Sequence, residues 1–262
     1  SVYDSALDAA QVQALYRSSL SAGQAVDWLE IKGENDSLNC VTEDLNLPTQ
    51  KDGVGITWTA KEGQQTSTAV TAQGKVTAGG GNAVTLTASC SDAQTGLSWT
   101  TEIPIKVARR ITVKCLDEDK SAGDNEADLI QAEELLKEEG SEYVHAPEEI
   151  IITDAGDAYK YDAEGTKNTA GLKVTVGAGA EVHVAYKAVE IKGVVTPDDA
   201  YVIEGNDPIL PKTLKATIDA GNGATAEANA PVKWTDSYEG LKARKEPYVI
   251  KGTVGNINVS AK

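Results

Sequence analysis

Only two histidines occur in the chain, His145 and His183, and forty acidic residues surround them. A nucleophilic triad needs a histidine base beside its nucleophile. His183 alternates with Val182 and Val184, which places it on the second face of a strand, and His145 precedes Ala146-Pro147 in a loop. Neither is expected to act as base or ligand. The acidic run that starts at Asp117 has Asp117, Asp119 and Ser121 at the first, third and fifth positions of a calcium loop. Its sixth position is Ala122 where a sharp turn needs glycine, and its twelfth is Asp128 where a bidentate glutamate belongs. The run reads as a solvated acidic turn. Gly79-Gly80-Gly81 lacks the Lys-Ser/Thr of a phosphate loop and reads as a turn. Glycoside hydrolysis needs two carboxylates facing each other across a cleft, and no spacing here selects a pair. No catalytic residue, metal or cofactor is expected.

The four tryptophans carry the remaining chemistry, because an aromatic face can stack on a sugar ring. Trp58 follows Ile56, and Trp234 follows Val232, at the two-residue spacing of one strand face, so both are expected in cores. Trp28 and Trp99 are the candidates for sugar stacking; Trp99 follows Gly96-Leu97-Ser98, near the tip of an expected hairpin. The three cysteines cannot form a complete internal disulfide framework. Cys90 is in phase with Val84 and Leu86, and Cys115 with Ile111 and Val113, so both read as small buried apolar residues. A Cys40–Cys90 bridge would require two points at opposite ends of parallel-running sandwich strands to meet.

Composition sets the frame for these residues. The chain has 262 residues, a formal net charge of −16, and neither Phe nor Met. Such a charge repels nucleic acid and anionic membranes, and no apolar run is long enough to insert in a bilayer. Cores must be built from Val, Ile, Leu, Ala, Tyr and Trp. The abundance of Val and Thr favours strands.

At the start, Asp8 is a plausible N-cap for a short amphipathic helix in which Val12, Leu15 and Tyr16 share a face. The segment from Val2 to Tyr16 resembles the closing strand and helix of laminin-G-like, concanavalin-type lectin domains. That resemblance implies a lectin-like module upstream, with residues 1–25 as its tail, so the chain is expected to be a piece of a longer secreted protein.

Residues 26–108 alternate apolar and polar in short runs, as at Leu45 and Leu47, Ile56 and Trp58, Val84, Leu86 and Ala88, and Ile103, Ile105 and Val107. Many short strands with regular turns indicate a β-sandwich. Asp44-Leu45-Asn46-Leu47-Pro48, Gly55-Ile56-Thr57-Trp58-Thr59, Gly74-Lys75-Val76 and Val84-Thr85-Leu86-Thr87-Ala88 together resemble the atrophied bacterial Ig-like domain. The departure is Thr59-Ala60-Lys61, where that family has a Ser-Ser-Asn turn.

In residues 109–190, strands are expected at Ile111–Cys115 and near Ile150–Thr153, Tyr159–Tyr161, Leu172–Val176 and Val182–Tyr186, and a helix from Asp128 to Glu139 that stops at Gly140. The strand pattern loosely resembles small mucin-binding-protein-type repeats of Gram-positive surface proteins, with the helix as an insertion. Residues 191–262 contain Pro208-Ile209-Leu210-Pro211-Lys212-Thr213, Pro231-Val232-Lys233-Trp234 and Tyr248-Val249-Ile250-Lys251-Gly252-Thr253-Val254. They resemble the group-4 bacterial Ig-like domain, with Pro247 where that family has glycine.

The expected fold is all-β: tandem Ig-like β-sandwich modules with a small β-rich middle module carrying one helix. The resemblances imply extracellular, non-catalytic spacer modules of a multidomain Gram-positive carbohydrate-active enzyme, such as a glycoside hydrolase, whose partners are upstream domains of the same polypeptide. The alternative is a glycan-binding or adhesive role at the cell surface, with polysaccharide or host glycan as partner and no nucleic acid.

Overall fold

The computed structural model describes residues 6–117, 129–167, 171–197, 209–221, 223–235 and 248–262. Two helices come first, α1 (Ala9–Ser18) and α2 (Ala22–Leu29). Each begins with a reciprocal capping box: Asp8 with Gln11, and Ser21 with Gln24. The Asp8 cap is the expected one. The second helix adds to the expected elements, and Ser21-Ala22-Gly23-Gln24 carries its local signal.

Five strands follow: β1 (Gln50–Lys51), β2 (Val54–Glu62), β3 (Gln65–Thr66), β4 (Ala83–Asp92) and β5 (Ser98–Lys106). They form one antiparallel sheet in the order β1–β2–β4–β5, with β3 also paired to β2. Thr59-Ala60-Lys61 lies inside β2, and the chain turns only after Glu62. Alternation sorts the side chains. Val54, Ile56, Trp58 and Ala60 of β2 face the core with Val84, Leu86, Ala88 and Cys90 of β4 and Ile103 and Ile105 of β5. Thr57, Thr59, Thr85 and Thr87 point the other way, so β-branched residues support the strands from both faces. The opposite side of this core is irregular chain: Leu29, Ile31, Val41, Leu45, Ala69 and Val70 cover the sheet, and isolated bridges Val41–Val107 and Val70–Val76 hold the covering segments.

The chain continues as β6 (Arg109–Asp117), β7 (Glu133–Lys137), β8 (Glu142–Val144), β9 (Ile150–Ile152), β10 (Ala158–Tyr161), α3 (Ala163–Lys167), β11 (Lys173–Thr175) and β12 (Glu181–Val189). A second five-stranded sheet has the order β7–β6–β12–β10–β9. The strands expected near 150, 160, 174 and 184 are all present. The helix expected over 128–139 is not: residues 133–137 are a strand. Helix propensity is high there, but Glu138 and Glu139 would sit at the helix C-terminus, where the macrodipole disfavours negative charge, and Leu129 N–H instead donates to the Cys115 carbonyl at 2.8 Å, starting a return along β6. The helix of this region is α3, with Gly165 N–H donating to Asp162 at its start. Of the calcium-like run, only Asp117 falls within the described residues.

The last elements are β13 (Ile191–Val194), β14 (Thr213–Gly221), β15 (Ala224–Pro231), β16 (Lys233–Trp234), β17 (Ile250–Val254) and β18 (Ile257–Ala261), in two three-stranded sheets, β13–β14–β15 and β16–β17–β18. Among the described residues the protein is thus mostly β, with three short helices.

By contacts the chain divides into two compact units. One comprises Ser1–Thr112, Glu134–Tyr143 and Val174–Glu181, the other Val113–Glu133, Val144–Lys173 and Val182–Lys262. The first unit's core is the sheet β1–β5 and its covering segments. The core of the second joins Leu214, Ala216 and Ile218 of β14 to Ala230, Val254 and Val259, and also takes in Ala158 of β10. Residues 150–158 therefore pack into the same core as the C-terminal strands.

Candidate functional site

The motif residues bond chiefly to one another. Asp44 accepts from the Val76 N–H at 2.9 Å and from the Lys75 ammonium, and the lysine bond, followed by the backbone bond, holds its carboxyl below the usual range. Leu45 N–H donates to the Gly74 carbonyl at 2.8 Å. Gly74 has φ +85°, and a Cβ there would lie 2.2 Å from the Leu45 oxygen, so only glycine permits this approach. Trp58 is 7% exposed, and its indole N–H donates to the Pro48 carbonyl at 2.8 Å. Trp234 repeats that bond to the Pro211 carbonyl at 2.9 Å. Each tryptophan stands opposite a small residue of the neighbouring strand, Ala88 and Gly252; a Cβ on Gly252 would come within 2.7 Å of the Trp234 ring. Trp234 is half-buried rather than fully buried, because β16 is a two-residue strand at the edge of its sheet while β2 is flanked on both sides.

The two tryptophans expected to bind sugar, Trp28 on α2 and Trp99 on β5, come together with ring centroids 6.4 Å apart and planes inclined at 31°. Both are half-buried against the first unit's core. The Arg17 guanidinium of α1 sits 5.5 Å from the Trp28 ring centroid. The Trp28 indole N–H donates to Asp52 Oδ2 at 2.9 Å, and Arg17 reaches the same oxygen at 3.4 Å. Asp52 and Gly53, with φ of 50° and 82°, form the turn between β1 and β2. The cluster thus fastens both helices to that hairpin, and it engages one face and the N–H of Trp28.

Beside this cluster lies an open cavity of about 370 Å³. Helix α1 contributes Gln13, Tyr16 and Arg17, at the three- and four-residue spacing of one face, and Leu20 follows from the connection to α2. Helix α2 contributes Gln24, Asp27 and Trp28 at the same spacing, and Asp52 closes the end. On α1 the residue fully buried is Ala14, whereas Val12, Leu15 and Tyr16, the face expected to pack, are 53%, 39% and 61% exposed. Trp28 was legible as a candidate. Tyr16 and Asp27 were not, because their convergence depends on α2, for which the Ser21–Gln24 capping box is the one local signal.

Further carboxylates serve structure. Glu62 accepts from Ser67 Oγ at 2.6 Å, Asn82 Nδ2 at 2.8 Å, Ala69 N–H at 3.2 Å and Thr68 N–H at 3.0 Å. These bonds, led by Ser67 and Asn82, pull its carboxyl from 4.5 to about 2. Buried Asn35 ties residues 32–35 to 42–43, with its amide donating to the Lys32 and Glu43 carbonyls and accepting from Thr42 and Glu43 N–H. His183 lies half-buried on β12, on the face opposite Val182 and Val184, and His145 lies in a loop. Cys40, Cys90 and Cys115 are all thiols, the last two buried. Among the described residues no three His, Cys, Asp or Glu side chains gather as a metal site, and no helix is long and apolar enough to cross a membrane.

Comparison with protein-family models and with curated proteins finds no match for the chain.

Proposed function

We propose that this chain consists of non-catalytic structural modules, Ig-like β-sandwiches near both ends, that space and orient neighbouring domains of a secreted bacterial surface protein or carbohydrate-active enzyme. The observation that carries this reading is the repeated bond from a core-facing tryptophan to a proline carbonyl, Trp58 to Pro48 and Trp234 to Pro211. The residues most like Ig-like motifs are spent on internal bonds of this kind, as Asp44 is on Val76 and Gly74 on Leu45. Little chain lies between successive strands of such a scaffold: Val107 and Ala108 alone separate β5 from β6, and Glu190 alone separates β12 from β13, whose Val189 and Ile191 pack against one core. The test is to incubate the purified chain with arylglycosides and with arabinan. No turnover is expected. Reproducible hydrolysis abolished by one Asp or Glu substitution would overturn the reading.

A further inference from the structure

We infer that the cavity between α1, α2 and the β1–β2 turn is a binding site for a neutral saccharide. This goes beyond the spacer reading and does not depend on it, since a module can space domains with or without such a site. A sugar ring offers a flat patch of C–H groups and a rim of hydroxyls that both donate and accept. Its site needs an exposed aromatic face and side chains of both hydrogen-bonding kinds, in a concavity of a few hundred Å³. The cavity has that volume, about 370 Å³.

Tyr16 supplies the aromatic face: it lines the cavity and is 61% exposed. Trp28 forms the opposing wall, held in place by Asp52 and by Arg17 over its ring. It is a wall and a reporter rather than the platform. Hydroxyl partners come from both helices. Asp27 is an exposed acceptor, and Gln13 contributes a whole amide. Gln24 uses its amide oxygen on Ser21, which leaves its NH2 as the donor.

Charge narrows the ligand. The Arg17 cation is paired with Asp52, and Asp27 adds a negative charge in a chain of net −16. Sialylated or uronic sugars are therefore repelled, and neutral ones are not.

The experiment is a titration of the full chain with lactose, with N,N′-diacetylchitobiose and with arabinobiose, and with 3′-sialyllactose as the anionic comparison, read by ¹H–¹⁵N correlation spectra. At least one neutral saccharide should shift the Trp28 indole N–H and the backbone amides of 13–28 saturably. Tyr16→Ala and Asp27→Ala should each weaken that binding by about tenfold with an unchanged melting temperature. Tyr16→Phe, which keeps the ring, should retain it. If Tyr16→Ala lowers the melting temperature, Asp27→Ala and Tyr16→Phe decide. No saturable shift with any of the three neutral saccharides, shifts that map elsewhere, equal affinity in Asp27→Ala, or tighter binding of 3′-sialyllactose would overturn the proposal. The spacer reading fails separately, by hydrolysis.

Discussion

The indole N–H of Trp58 donates to the carbonyl of Pro48, ten residues earlier, at 2.8 Å. The bond closes the Leu-Pro segment over the ring that fills the first core, and the same bond recurs between Trp234 and Pro211 in the second unit. Pro48 is half-buried, so its carbonyl left without this donor costs about 1 kcal/mol, the low end of the range for a buried group. Trp58→Phe, which keeps most of the ring, should destabilise the first unit by about that amount, and Trp58→Ala by roughly 3–5 kcal/mol. Urea unfolding followed by a probe in residues 26–108 measures both. Equal losses in the two variants would show that the bond, not the ring, dominates.

Trp234→Ala should lower the melting of the second unit alone. Its ring packs against a core of Leu214, Ala216, Ile218 and Val254 that includes no residue of the first unit's core. Calorimetry should show two transitions in the parent and one displaced in the variant. A single shifted transition would mean that the cores unfold together.

Glu62 predicts a pH dependence. Its carboxyl is held at about 2 in the folded chain against 4.5 ordinarily. The folded value is the lower one, so its contribution is complete above about 4.5 and is lost as pH falls through about 2. Glu62→Gln should therefore cost stability at neutral pH, on the order of 1 kcal/mol. The gap between parent and variant should close as the solution approaches pH 2. Urea midpoints at a series of pH values test this, and a gap independent of pH would contradict it.

Gly74→Ala should destabilise the first unit by about 1–3 kcal/mol. It forces a side chain onto a backbone at φ +85° and into the Leu45 carbonyl. Gly63, also at positive φ (+61°) but with nothing within 4 Å of where a Cβ would stand, is the control for backbone strain alone. A Gly63→Ala loss as large as that of Gly74→Ala would assign the effect to strain rather than to the contact.

The sequence by itself determined the β class, the alternating faces of β2, β4 and β5, the Asp8 cap and the inward direction of Trp58. These follow from local rules: the two-residue period of a strand, the preference of β-branched residues for it, and the side chains able to cap a helix. Tertiary structure decided the rest. Residues 133–137 carry a helical composition but form a strand, because the hydrogen bonds offered by a neighbouring strand outweigh a propensity worth tenths of a kcal/mol per residue. The half-burial of Trp234 follows from its place at a sheet edge, and sheet order is not written in a period of two. The cavity was hidden for the same reason. Tyr16, Asp27 and Asp52 lie on α1, α2 and the β1–β2 turn, and what brings these to one place is long-range: the burial of Ala25, Val26 and Leu29 in the first core and the clamp of Arg17 and Trp28 on Asp52.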